Sequence, residues 1–153
     1  KGREIKSNYT DHLDGSQSSF QAKTLDGCDI VIKFTHKYNE SAHQLCAHSG
    51  YAPELLHVER NIIPTWIVVI MTYIEDAVQL KVTNLSQEDY KEVMETVDKA
   101  IQLLHDHNYV FGDLRSKNIL VGRMQTAFLI DFDWVGQHGN DVYPSFMNHM
   151  DIQ

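Results

Sequence analysis

Two runs of β-favouring residues lie between Phe20 and Phe34, in FQAKTLDGCDIVIKF, joined by Leu25-Asp26-Gly27. An Asp-Gly pair between such runs predicts a hairpin, because tight turns there need residues that accept positive φ. The second run, Ile30 to Phe34, carries Lys33 in its middle. Tyr38 to His48 contains neither Gly nor Pro, places Ala42, Leu45 and Cys46 at helical spacing and stops near Gly50. This predicts a short helix. Leu55 to Val58 and Trp66 to Tyr73 are rich in β-branched and aromatic residues and are separated by Pro64. They read as two more strands of the same sheet.

Further along the chain the period changes. Ser86 followed by Asp89 resembles a capping box, and Tyr90, Val93, Met94, Val97, Ile101 and Leu104 then recur on one face of a long helix. Asn118 to Val121 and Phe128 to Phe132 read as two short strands about a turn at Gly122. No internal repeat or low-complexity tract interrupts the order. Strands with one helix, then a long helix, then a loop and short hairpin predict a single α+β domain of two unequal lobes, 1–74 and 75–153.

Composition narrows the partners. A chain of 153 residues with 42% hydrophobic content can bury one real core. The net charge of -8 argues against general affinity for nucleic-acid phosphates or an anionic membrane surface, so neither is expected as a partner. The longest apolar stretch, Ile62 to Met71, is broken by Pro64 and falls short of the ~20 residues that span a bilayer. Cys28 and Cys46 form no disulfide framework, and none of the histidines sits in an HExxH pattern, so no zinc site is assigned. Trp66 and Trp134 are core candidates. The chain starts at Lys1 with no signal-like apolar region, which suggests a piece of something longer and leaves its compartment unread.

The chemistry is carried by spacing. Asp113 is followed five positions later by Asn118 and thirteen beyond that by Asp131, each beside an apolar strand-like run. Singly, each residue has a plain reading: Asp113 and Asn118 as a turn after a helix, Lys33 as a solvated strand residue, Glu40 as a first-turn acid. Together they suit phosphoryl transfer, which needs a carboxylate to orient the attacking hydroxyl and hard oxygen ligands to hold Mg²⁺ on nucleotide phosphates. Asp113 fits the first role, Asn118 and Asp131 the second. Asp133 reads either as a helper to that metal or as a surface carboxylate.

Asp113-Leu-Arg-Ser-Lys-Asn118 and Ile130-Asp131-Phe132 resemble the catalytic and metal loops of the protein-kinase-like superfamily. Val31-Ile32-Lys33 looks like its phosphate-contacting strand, and the resemblance implies Glu40 as the helix partner of Lys33. Ile70 to Ile74 resembles the strand and hinge beside adenine, implying Met71 at the back of an ATP pocket and the backbone of Thr72, Tyr73 and Ile74 against the base. A glycine-rich loop should lie just before Phe20, where Leu13 to Ser19 offers only Gly15.

Phe111-Gly112-Asp113 replaces the His-Arg-Asp of signalling kinases and Asp131-Phe132-Asp133 their Asp-Phe-Gly. Both are similar to the aminoglycoside and choline phosphotransferase branch, and the ending Asp131 to Pro144 to fungal kinase-like domains, including crinkler-type effectors. Those effectors would imply action inside a cell, a host cell included. Only 22 residues follow Asp131, so the second lobe reads as truncated, to be completed by an adjoining domain or a protein partner. The resemblance implies an ATP- and Mg²⁺-dependent transfer of the γ-phosphoryl group to a hydroxyl on a protein or small molecule. The alternative is a pseudokinase that senses nucleotide or binds a partner without turnover.

Overall fold

The computed structural model describes the backbone of residues 8–12 and residues 18–81 and 85–139 in full. Gly15 and its neighbours 13–17 lie outside the described residues. The chain falls into two compact units, one made of the described residues up to Lys37 together with Glu54–Tyr73, the other of Tyr38–Pro53 and the residues from Ile74 onward.

The first unit is a five-stranded antiparallel sheet: β1 (Asn8–His12), β2 (Ser19–Lys23), β3 (Asp29–Thr35), β4 (Leu55–Glu59) and β5 (Ile67–Thr72), in the spatial order β1-β2-β3-β5-β4. The β2–β3 hairpin turns where the Asp-Gly pair predicts it. Gly27 takes φ +89 and donates its N–H to the Thr24 carbonyl at 3.0 Å, a backbone state that costs an L side chain strain. In β3 and β5, Val31 pairs with Met71 and Lys33 with Val69. Side chains alternate across a strand, so Lys33, Val31, Val69 and Met71 share one face. The opposite face holds the cluster of Ala22, Ile30 and Ile70, with Ile32 and Val68 packed on it.

The second unit is built on α1 (Glu40–His48) and α2 (Gln87–Asp106). A three-stranded sheet, in the order β6 (Val78–Gln79), β8 (Ile119–Val121) and β9 (Ala127–Leu129), and a two-stranded one of β7 (Tyr109–Phe111) and β10 (Val135–Gln137) complete it. Of the predicted face of α2, Val93, Val97 and Leu104 are fully buried and Tyr90, Met94 and Ile101 half-buried, with Ala100 added to the buried set. Ser86 caps α2 by accepting the Asp89 N–H at 3.1 Å. Asn108 then enters the left-handed region at φ +62 and turns the chain into β7, a state that Asn tolerates better than most residues.

Several boundaries differ from the sequence expectation, each for a local reason. The first helix begins at Glu40, because Asn39 takes φ -97, ψ 89 and caps it, leaving Tyr38 buried ahead of the helix. The strand expected from Asn118 starts at Ile119, since residues 116–118 form a 3-10 turn. The strand expected to reach Phe132 ends at Leu129, before Asp131 takes φ 70, ψ 70 and breaks extended geometry. Trp66 and Trp134 are only half-buried. Strands β1, β6, β7 and β10 are additions that the pattern of apolar residues does not announce. No helix among the described residues is long and apolar enough to cross a membrane.

Candidate active site

Within the second unit, β7 delivers the chain to Asp113. Its pairing with β10 is extended by the Gly112 N–H, which donates to the Trp134 carbonyl at 2.9 Å. Asp113 is buried, 7% exposed, so its polar groups need partners inside the protein. Asn118 supplies one: its Nδ2 donates to the Asp113 backbone carbonyl at 2.8 Å and to Asp113 Oδ2 at 2.9 Å. The 3-10 turn of residues 116–118 makes this possible by folding the chain back within five residues. Asn118 Oδ1 takes no part in these bonds, so the amide presents its oxygen elsewhere.

The Asn118 carbonyl accepts the Ile130 N–H at 2.9 Å, continuing the β8–β9 ladder in which Ile119 pairs with Leu129. Asn118 and Asp131 therefore emerge at the same end of that ladder. Asp131 stands in the left-handed region, which costs a non-glycine residue roughly 1–2 kcal/mol and must be held by its surroundings. Part of that hold is Phe132, which is completely buried. Its ring stacks on His43 with centroids 4.6 Å apart and planes 8° from parallel, and meets Phe111 edge-on at 5.4 Å.

His43 is itself fully buried, and both ring nitrogens are engaged. Nε2 lies 2.8 Å from the Pro53 carbonyl and so carries the hydrogen, while Nδ1 accepts from the Tyr38 hydroxyl. Burial pushes the Tyr38 hydroxyl to higher pKa, with the carboxylates of Asp133, Asp131 and Glu40 adding to the rise. Those three acids therefore lie near the Tyr38 hydroxyl.

Arg115 was not singled out by spacing, yet it is the residue most directly engaged with Asp113. Its Nε forms an ion pair with Asp113 Oδ1, and its Nη2 donates to Oδ2, a two-pronged contact across the carboxylate. Together with Asn118 it places two hydrogen bonds on Asp113 Oδ2, while Nε faces Oδ1 as an ion pair.

The remaining candidates belong to the first unit, except Glu40 and Ile74, which lie in the second. Lys33 is buried in β3 at 8% exposure, on the face it shares with Met71, itself 6% exposed. Thr72 donates its N–H to the Glu54 carbonyl at 2.9 Å, and Tyr73 donates to Asp29 at 3.2 Å. Both N–H groups are therefore spent within the sheet.

The donor set of the second unit fits a hard divalent cation: the Asn118 amide oxygen and the Asp131 carboxylate are oxygen ligands, and Asn118 is oriented by using its NH₂ group on Asp113. Among the described residues there is no group of three or more His, Cys, Asp or Glu side chains that could hold a metal ion.

A family model described as RIO domain matches residues 7–152. A search of curated proteins finds no match. Among solved structures, the chain is similar to the Cydia pomonella granulovirus kinase, with 22% sequence identity and a TM-score of 0.76, over 90% of this chain and 55% of that one. The chain thus spans little more than half the length of that kinase. At this identity the likeness speaks for the fold, which is protein-kinase-like, with an antiparallel sheet in one lobe and helices in the other.

Proposed function

The chain belongs to the RIO-domain family, and on that footing we propose that it is a phosphotransferase that moves the γ-phosphoryl group of ATP to a hydroxyl acceptor. The observation that carries this reading is the Asp113–Asn118 pair, in which the amide clamps the carboxylate at 2.9 Å and leaves its own oxygen for a cation. Asp113 is the group that accepts the hydrogen of the acceptor hydroxyl. A P–O bond to that oxygen then forms as the bond to the β-phosphate bridge breaks. Asn118 and Asp131 would hold Mg²⁺, which neutralises phosphate charge when bound. Lys33 would hold the phosphates, and Glu40 would orient Lys33. Met71 backs the base, and with the Thr72 and Tyr73 N–H groups already used, the Ile74 N–H is the donor left in that stretch for the base edge.

The acceptor is a protein or small-molecule hydroxyl. Its choice would rest with an adjoining domain or partner that completes the second lobe, a reading supported by the share of the granulovirus kinase that the chain spans. The motif likeness to the aminoglycoside and choline branch favours a small alcohol, that to crinkler-type effectors a protein.

Phosphoryl transfer and ATP hydrolysis measured on wild type, Asp113→Ala and Asp131→Ala test the proposal. Turnover is expected to fall at least ~10²-fold in both variants. Asp113→Ala should retain the Mg²⁺–ATP thermal shift, and Asp131→Ala should lose its metal dependence. Equal turnover in all three proteins sinks the idea.

One observation favours a second reading, a pseudokinase. Arg115 covers the carboxylate that should meet the acceptor. A Mg²⁺–ATP thermal shift in wild type with no transfer to any hydroxyl, in the presence of the completing partner, decides for that reading.

A further inference from the structure

Asn39 divides its four polar groups between two neighbours. Both acceptors face α1: the side-chain oxygen takes the Ala42 N–H at 3.0 Å and the backbone carbonyl takes the His43 N–H at 3.1 Å. Both donors face the loop that follows Asp131. The backbone N–H donates to the Phe132 carbonyl at 3.1 Å, and Nδ2 donates to the Val135 carbonyl at 3.1 Å. The loop so gripped starts from a residue in the left-handed region, a state that persists only where its surroundings hold it. The His43–Phe132 stack adds a second grip from the same helix.

We infer that Asn39 is a positioning residue, a clasp that ties α1 to residues 132–135 and thereby fixes the Asp131 carboxylate for a divalent cation. The inference rests on the reading of Asp131 as a metal ligand. Nothing about helix formation requires the Nδ2 donor: an N-cap needs an acceptor, which Ser or Asp supplies equally well. The amide at this position is explained by the Val135 carbonyl, which needs a donor that Ser is too short, and Asp chemically unable, to provide.

Asn39→Ser separates the two duties, since its hydroxyl still caps Ala42 while the amide donor is gone and no charge is added. Asn39→Asp is the second variant, with the cap kept by a carboxylate. In metal-free protein, amide hydrogen exchange of residues 132–135 is expected to be about tenfold faster in both variants, with α1 amides keeping their protection. In calorimetric titration of Mg²⁺ against protein saturated with a non-hydrolysable ATP analogue, the Mg²⁺ midpoint of Asn39→Ser is expected to rise about tenfold.

Unchanged loop exchange in both variants overturns the clasp. Faster exchange with an unchanged Mg²⁺ midpoint overturns its role at the metal. Wild-type protein that takes up no Mg²⁺ with the nucleotide overturns the phosphotransferase reading itself, and that result is distinct from a wild type that binds while Asn39→Ser binds equally well.

Discussion

Burial gives the two thiols different chemistry. Cys46 is fully buried in α1, and loss of hydration pushes it from an ordinary 9.0 up to about 12, while Cys28 is exposed. Because the folded value lies above the unfolded one, the stabilisation linked to Cys46 is complete below pH ~9 and is lost as pH rises towards 12. Tyr38 acts in the same direction. Stability measured by denaturant titration is therefore expected to fall steadily above pH ~9, more than in a Cys46→Ala variant corrected for its lower baseline. A thiol reagent at pH 8 should label Cys28 and spare Cys46 until the chain unfolds, and equal labelling rates would refute this assignment. Arg115 makes a third test at this scale. Removing it in Arg115→Leu strands a buried carboxylate, at an expected cost of about 2 kcal/mol that reflects its partly exposed partner. A midpoint shift below ~0.5 kcal/mol would mean that the pair is not formed in solution.

At the scale of elements, α2 is the best-specified piece of the chain. Ser86 accepts the Asp89 N–H and donates its own hydrogen to the Asp89 carboxylate at 2.7 Å, so both members of the box are committed to each other. Ser86→Ala is expected to cost about 1 kcal/mol in chemical denaturation. Leu104→Ala, which empties a fully buried site in the last turn, is expected to cost roughly 2–5 kcal/mol. Similar losses from the two substitutions would show that the cap contributes as much to α2 as the core face does. The existence and face of this helix were legible because cap and period both act within a few residues of sequence. β7 and β10 were not, because each is a three-residue segment whose only reason to be extended is the other.

For the whole molecule, the net charge of -8 is the property that every residue shares. Like charges repel within a compact state, and salt screens them over a Debye length of ~10 Å at 0.1 M. The melting temperature should rise between 10 and 200 mM KCl at pH 7.5. A fall would show that attractive pairs such as Lys23–Asp29, at 2.7 Å on the first unit's surface, outweigh the general repulsion. After Ile74 the sequence passes from strand-like runs to a helical repeat. That residues 38–53 group with the second unit was not legible, because a short helix carries no label for the surface it packs on.

That Asp113 and Asn118 meet was legible in the sequence, because an Asp and an Asn five residues apart across a turn are within hydrogen-bonding reach. Lys33 followed because its strand is written in β-branched neighbours. The hairpin turn, the capped long helix and the α+β order rest on the same kind of local physics, in which backbone sterics and apolar period act along the chain. Tertiary structure alone decided the parts that depend on meeting a distant residue. Asn39 and Val135, 96 positions apart, share a hydrogen bond. His43 reads as one more helix histidine until Phe132 lies flat against it. Asp131 reads as a strand-end carboxylate until its backbone turns left-handed under the hold of α1. Such pairings are fixed by burial, which leaves a polar group no partner but the one the fold brings, and burial is a property of the folded chain rather than of any stretch of its sequence.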